Sequence, residues 1–159
     1  MNYRADFHIH SCLSPCASLE MSPASIVRQA QEVGLNAIAL SDHNCGFNLP
    51  AFGKICRQHG MECLYGMEVT SVEEAHILCL FDRLDAAMEL GMRVYDSLPD
   101  IPNNPAKFGD QPIIDENEEI LGFAEKFLIS ASGYDISSLV TEVHALGGLI
   151  VPAHIDRSV

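Results

Sequence analysis

Two histidines near the N-terminus, His8 and His10, have a spacing that allows them to act together. On a β-strand, residues two positions apart project from the same face, so both imidazoles would face one side. They would lie about 7 Å apart along the strand, which suits one metal ion or a close pair of ions. We expect Asp6 to accept an imidazole N–H, and Phe7 and Ile9 to point into the core.

Further residues of the metal-ligating types follow other predicted strands. Segments 36–40, 61–67 and 149–151 are apolar and short, as buried strands are. The polar residues that come after them are Asp42, His43, Glu68 and His154. Because the carboxyl ends of parallel strands meet at one rim of an α/β barrel, we expect these side chains to converge. His76 stands instead at the start of an apolar run, and the preceding loop would have to bring it inward.

The elements that position these residues alternate between strand and helix. Ser22 and Pro23 predict a helix start, and Asp135 predicts another. Glycines follow most of the helical stretches, as is common at helix ends. Residues 99–123 interrupt this pattern with a proline-rich loop and a predicted hairpin around the acidic turn 115–119. The sequence therefore predicts a single α/β domain over residues 1–159, with a mainly parallel sheet.

Composition narrows the functional classes. Nine Lys and Arg against 22 Asp and Glu give a net charge of −13, which predicts that nucleic acid is an unlikely partner. A small anionic substrate stays compatible with this charge, because bound metal ions can reverse its sign locally. The sequence contains neither an apolar run of about 20 residues nor a signal peptide, so we expect a cytoplasmic protein without a membrane span.

The ligand types indicate which metals and which chemistry to expect. Imidazole and carboxylate ligands suit Zn²⁺, Mn²⁺ or Fe better than Ca²⁺ or Mg²⁺. The candidate ligands exceed the number needed for one tetrahedral site, so two or three divalent ions are predicted. Paired ions can bind a phosphoryl oxygen and lower the pKa of a water to about 7. Glu68 is the carboxylate expected to bridge them.

Five spaced motifs together resemble the PHP (polymerase and histidinol phosphatase) family of metal-dependent phosphoesterases, which fold as a distorted (β/α)7 barrel. In chain order these motifs are Asp6-Phe7-His8-Ile9-His10-Ser11, Ser41-Asp42-His43-Asn44, Gly66-Met67-Glu68, His76-Ile77-Leu78 and Pro152-Ala153-His154. The metal ligands that the resemblance implies are His8, His10, His43, Glu68, His76 and His154.

The chain departs from the family pattern at two places. Cys16 stands in a loop where the family usually has Asp or His. It is either a thiolate ligand or an unrelated small loop residue. The family's last motif, Asp-x-His, has no counterpart in these 159 residues. We therefore expect a PHP-type barrel that is incomplete at its C-terminus, with exposed apolar edges that favour a homo-oligomer or another partner.

These observations predict the hydrolysis of a small phosphorylated substrate by water activated at a multinuclear metal centre. We assign Glu68, His10 and Arg157 to catalysis, with Arg157 either holding a substrate phosphate or forming a plain salt bridge. The alternative is a catalytically incomplete metal-binding module with a structural or regulatory role. A polymerase-associated nuclease is disfavoured by the charge of −13.

Overall fold

Residues 3–155, which the computed structural model describes, form seven strands and five helices. The strands are β1 (Ala5–Ile9), β2 (Ala37–Leu40), β3 (Glu62–Thr70), β4 (His76–Phe81), β5 (Pro112–Ile114), β6 (Ile120–Phe123) and β7 (Leu149–Pro152). The helices are α1 (Pro23–Glu32), α2 (Leu49–His59), α3 (Leu84–Ser97), α4 (Pro105–Phe108) and α5 (Ile136–Ala145).

The main sheet has the strand order β1-β2-β3-β4-β7. Strands β1, β2 and β3 are parallel, whereas β4 is antiparallel to both of its neighbours. The reversal follows from the short link 71–75, because a parallel pair needs a crossover of a dozen or more residues. The α/β prediction is confirmed, with one reversed strand. Within residues 3–155, β1 and β7 are the unpaired edges of an open sheet, as expected for an incomplete barrel.

Local signals set the helix boundaries as predicted. The Ser22 side chain accepts a hydrogen bond from the Ser25 N–H at the start of α1, and Asp135 does the same for Ser138 N–H at the start of α5. At the end of α2, Gly60 adopts the left-handed conformation with φ of 64°, which glycine reaches without steric cost.

The principal core lies between the main sheet and helices α1, α2, α3 and α5. Phe52 and Phe81 are its largest fully buried side chains. The expectation that Phe7 is buried is wrong, because it is 36% exposed. As β1 is an edge strand, its outer side has no neighbouring strand to cover it. No helix within residues 3–155 is both long and apolar enough to cross a bilayer.

The segment between α3 and α5 is held against the end of β2 by two buried asparagines. Asn44 donates from Nδ2 to the carbonyl oxygens of Leu128 (2.7 Å) and Ser130 (2.8 Å). Asn48 accepts at Oδ1 from the backbone N–H of Ile114 (3.0 Å). The predicted hairpin is present as β5 and β6. These bonds fix the segment beside the rim that carries the histidines.

Two neighbouring thiols lie at the opposite end of β3 from Glu68. The hydrogen bond between Cys56 and Cys63, aided by Arg57, lowers the pKa of the partly exposed Cys63. Cys16 is an exposed residue, but partial desolvation of its thiol raises its pKa. In metal-free protein we expect iodoacetamide to modify Cys63 before Cys16, at a rate that rises with pH because the thiolate is the nucleophile. Peptide mass spectrometry after brief labelling measures the order. Modification of Cys16 first would contradict it.

Candidate metal centre

The carboxylate of Glu68 lies at the centre of a cluster of five imidazoles and is 1% exposed. Its two oxygens face different histidines. The ring nitrogens nearest Oε1 belong to His8 (Nε2, 3.3 Å), His76 (Nδ1, 3.0 Å) and His154 (Nε2, 3.1 Å). Those nearest Oε2 belong to His10 (Nε2, 3.3 Å) and His43 (Nδ1, 3.3 Å). The expected convergence of these side chains is therefore present, and the carboxylate separates them into two groups.

Neighbouring strands place His43 beside Glu68. The chain continues past the end of β2 alongside β3, so that His43 and Glu68 form a parallel bridge. Two backbone hydrogen bonds fix this register, from the Glu68 N–H to the Asp42 carbonyl and from the Asn44 N–H to the Glu68 carbonyl, each 3.0 Å. Glu68 lies within β3 and not after it as the apolar pattern predicts, because pairing with β4 extends β3 to Thr70.

His76 reaches the cluster because β4 runs in the reverse direction. Thr70, at the carboxyl end of β3, is paired with His76, at the amino end of β4. The first residue of β4 therefore lies at the same rim as the last residues of the parallel strands. The sequence predicted that the preceding loop would bring His76 inward, but the direction of β4 already places it there.

His154 follows β7 and adopts a left-handed backbone conformation with φ of 56°. This region is sparsely populated by residues with a side chain, and such residues concentrate at functional sites. The N–H of Ala153 donates to the His76 carbonyl (2.9 Å), which ties the end of β7 to β4. His154 is 44% exposed at its side chain, so this edge of the cluster is open to solvent.

Three groups of donor atoms could each hold a metal ion, since the atoms within each lie within 4.8 Å of one another. The groups are His8, Glu68 and His154; His43, Glu68 and His76; and His10, Cys16 and His43. The third group places the exposed Cys16 thiol beside two imidazoles. Arg157 lies outside the described residues.

Two further observations indicate that this set of donor atoms fits divalent cations. The Nδ1 atoms of His43 and His76 are buried and make no hydrogen bond of acceptable geometry, although each lies close to the Glu68 carboxylate. Among residues 3–155, the basic groups within ion-pairing distance of Glu68 are all imidazoles. A buried carboxylate without a Lys or Arg partner needs another positive charge to compensate its desolvation.

The protonation states favour metal binding. Burial alone would raise the pKa of the Glu68 carboxyl, but hydrogen bonding and positive charge from the protonated forms of His10 and His43 lower it below its ordinary value. Burial and the neighbouring His10 lower the pKa of His43 to about 4. At neutral pH Glu68 is therefore ionised and His43 is neutral, and both have lone pairs available to a cation.

Sequence reasoning missed a buried hydrogen-bond network behind the cluster. The Ser14 hydroxyl lies 2.7 Å from Asp42 Oδ1, 3.2 Å from His10 Nδ1 and 3.1 Å from the His43 backbone nitrogen. Asp6, expected to accept an imidazole N–H, accepts instead from the backbone N–H of His8 (3.1 Å). No local sequence pattern indicates the role of Ser14, because two of its partners, Asp42 and His43, lie 28 and 29 residues away along the chain.

The family model for the PHP domain matches residues 6–149. The chain belongs to the PHP domain family. The resemblance inferred from the five motifs is thereby confirmed. This PHP domain is 32% identical over 71 residues to the PolC-type DNA polymerase III of Oceanobacillus iheyensis and, in equal measure, to that of Bacillus subtilis. The match covers 45% of this chain but 5% of either polymerase.

Solved structures share the fold of this PHP domain. A protein from Bifidobacterium adolescentis, assigned as a metal-dependent phosphoesterase, superposes with a TM-score of 0.64 at 18% identity, over 96% of this chain and 67% of its own. An endonuclease Q in complex with a 27-mer duplex, with an abasic lesion at the active site, superposes with a TM-score of 0.61 at 22% identity. That match covers 94% of this chain and 34% of the endonuclease. At these identities the likeness shows the fold.

The complex of endonuclease Q with DNA corrects the prediction about partners. The prediction that nucleic acid is an unlikely partner, made from the net charge of −13, is wrong, because a protein of this fold is solved on a DNA duplex. Net charge averages over the whole surface, whereas binding depends on the local potential at the site, which bound cations can reverse. The charge of −13 therefore does not exclude nucleic acid as a partner.

Proposed function

We propose that this PHP domain is a metal-dependent phosphoesterase. The observation that carries the proposal is the buried Glu68 carboxylate, which has an imidazole group at each oxygen and no Lys or Arg partner among the described residues. Two or three divalent ions, Zn²⁺, Mn²⁺ or Fe, would occupy the cluster around Glu68. The proposed ligands are His8, His10, Cys16, His43, Glu68, His76 and His154.

Divalent ions held there would supply Lewis acidity toward a phosphoryl group and toward water. The protein's own part is to hold the donors in place before substrate arrives. Glu68 presents one oxygen to each group of histidines and so holds the two groups next to each other. The buried Ser14 hydroxyl lies 3.2 Å from His10 Nδ1 and helps to orient its ring.

A groove beside the cluster offers the approach for a substrate. Its lining residues are Asp6, His8, Ile9, His10, Cys16, Ala17, Ser18 and Met21. None of these is Lys or Arg, so recognition of a phosphate would rest on the bound cations. This favours a small phosphate ester as the first candidate substrate. The shared fold with endonuclease Q supports a second candidate, a phosphodiester of nucleic acid.

Hydrolysis assays with both substrate types test the proposal. Chelator-treated protein is reloaded with Mn²⁺ or Zn²⁺, its metal content is measured, and it is assayed on p-nitrophenyl phosphate and on a DNA duplex with an abasic site. We expect turnover of at least one substrate that disappears on chelation and returns with metal. Metal-loaded protein that hydrolyses neither would contradict the activity and favour the metal-binding module.

A further inference from the structure

We infer that Ser14 is a positioning residue, which holds the His10 imidazole in the tautomer with its proton on Nδ1 and so keeps Nε2 free as a ligand. Ser14 is fully buried and lies between the Asp42 carboxylate and His10. The tautomer of His10 is a property of the metal-free protein, and only the effect on metal affinity rests on the proposed function.

The hydrogen-bonding capacity of the Ser14 hydroxyl decides the tautomer of His10. A serine hydroxyl has one proton to donate and two lone pairs that accept. Around Ser14 Oγ are a carboxylate oxygen of Asp42 at 2.7 Å, the His43 backbone nitrogen at 3.1 Å and His10 Nδ1 at 3.2 Å. The carboxylate can take the proton, while the His43 N–H can only donate. The remaining lone pair faces His10, so His10 Nδ1 must carry a proton.

This assignment requires Asp42 to act as an acceptor, and its other contacts agree. Asp42 Oδ1 also accepts from the Ser11 N–H (2.7 Å), and Oδ2 accepts from the Ser11 hydroxyl (2.7 Å). The Ser11 hydroxyl itself accepts from Asn48 Nδ2 (3.1 Å) and from the Leu13 N–H (3.2 Å). Its own proton therefore goes to Asp42. Both hydroxyls direct their protons to this carboxylate, as expected of an ionised acceptor.

The alternative tautomer would place its proton on His10 Nε2, toward Glu68. It would leave the Nδ1 lone pair facing a lone pair of the fully buried Ser14 hydroxyl, where an unmet polar contact is costly. In the Nδ1–H form the bare Nε2 of His10 has a partner of its own, because it can accept a hydrogen bond from His8 Nε2, which lies 3.1 Å away. The buried network thus selects the Nδ1–H form before any metal binds. Since the same hydroxyl also holds the backbone of His43, one residue positions two members of the cluster.

The test reads the tautomer directly in metal-free protein labelled with ¹⁵N-histidine, at about pH 8.5, well above the ordinary imidazole pKa of about 6.5. Long-range ¹H–¹⁵N spectra distinguish a protonated from a bare ring nitrogen, and the loss of a signal in His10→Gln assigns it. We expect the Nδ1–H form of His10 in the natural protein. Observation of the Nε2–H form would overturn the inference, whether or not the protein hydrolyses any substrate.

Two matched variants extend the test. Ser14→Ala should give a mixture of His10 tautomers and weaken metal binding about 10- to 100-fold, as loss of a group behind a ligand does. Ser11→Ala removes a hydroxyl that is equally buried and also bonded to Asp42, but that touches no imidazole. It should leave the His10 tautomer unchanged. Equal tautomer shifts in both variants would show a general structural effect and refute the role of Ser14.

Discussion

Glu68→Gln is expected to abolish hydrolysis and to remove at least one bound metal ion. The amide keeps the size of the carboxylate but loses its charge, and one of its two terminal atoms becomes a donor that repels cations. Because both Glu68 oxygens face imidazole groups, the change affects two of the three donor groups at once. The loss of activity should therefore exceed the roughly 10- to 100-fold effect of changing a group behind a ligand. Metal content by mass spectrometry and turnover on the same sample measure it.

The matched control for this variant is Glu62→Gln, at the start of the same strand. Glu62 is exposed and hydrogen-bonded to Tyr3 at the surface, far along β3 from the rim. Its replacement should leave metal content and turnover unchanged, since exposed polar contacts contribute little. Full metal occupancy in Glu68→Gln would refute the bridging role proposed for this carboxylate.

Metal removal is expected to lower the thermal unfolding midpoint by about 5 to 15 °C. An ion bound only by the folded state stabilises it by about 2.7 kcal/mol at 100 times Kd, and by about 4.1 kcal/mol at 1,000 times Kd. For a chain of this size, each kcal/mol shifts the midpoint by roughly 2 to 4 °C. Differential scanning calorimetry of chelated protein, before and after addition of Zn²⁺ or Mn²⁺, measures the shift.

Histidine variants show whether the shift arises at this cluster. His8→Ala removes an imidazole that faces Glu68 and should reduce the metal-dependent part of the midpoint. His144→Ala removes an exposed histidine on α5 outside the cluster and should leave it unchanged. A midpoint that does not respond to chelation in the natural protein would contradict a resident metal centre.

Local chemistry was sufficient to predict several parts of this protein. The spacing of His8 and His10 has the period of a strand, so their common orientation follows from backbone geometry alone. The caps at Ser22 and Asp135 likewise depend on hydrogen bonds within a few residues, and both helices start where predicted. The placement of polar residues after apolar strands predicted one rim, because parallel strands end together.

Pairing between distant strands decided the rest of the candidate site. The reversal of β4 placed His76 at the rim, and the length of the 71–75 link was the one signal that could have shown it. Phe7 is exposed because β1 is an edge of the sheet, a property of the strand order that no residue pattern records. The position of Cys16 near His10 and His43 also depends on how its loop folds back.

The residue types and their spacing determined that imidazoles and a carboxylate would be available at the ends of strands. Only the tertiary structure decided how they are oriented, through the division of the Glu68 oxygens between two groups and the placement of Ser14 behind His10. The physical reason is the separation of the partners along the chain. Helix caps and strand periodicity depend on residues a few positions apart, whereas these contacts join distant segments that the sheet brings together.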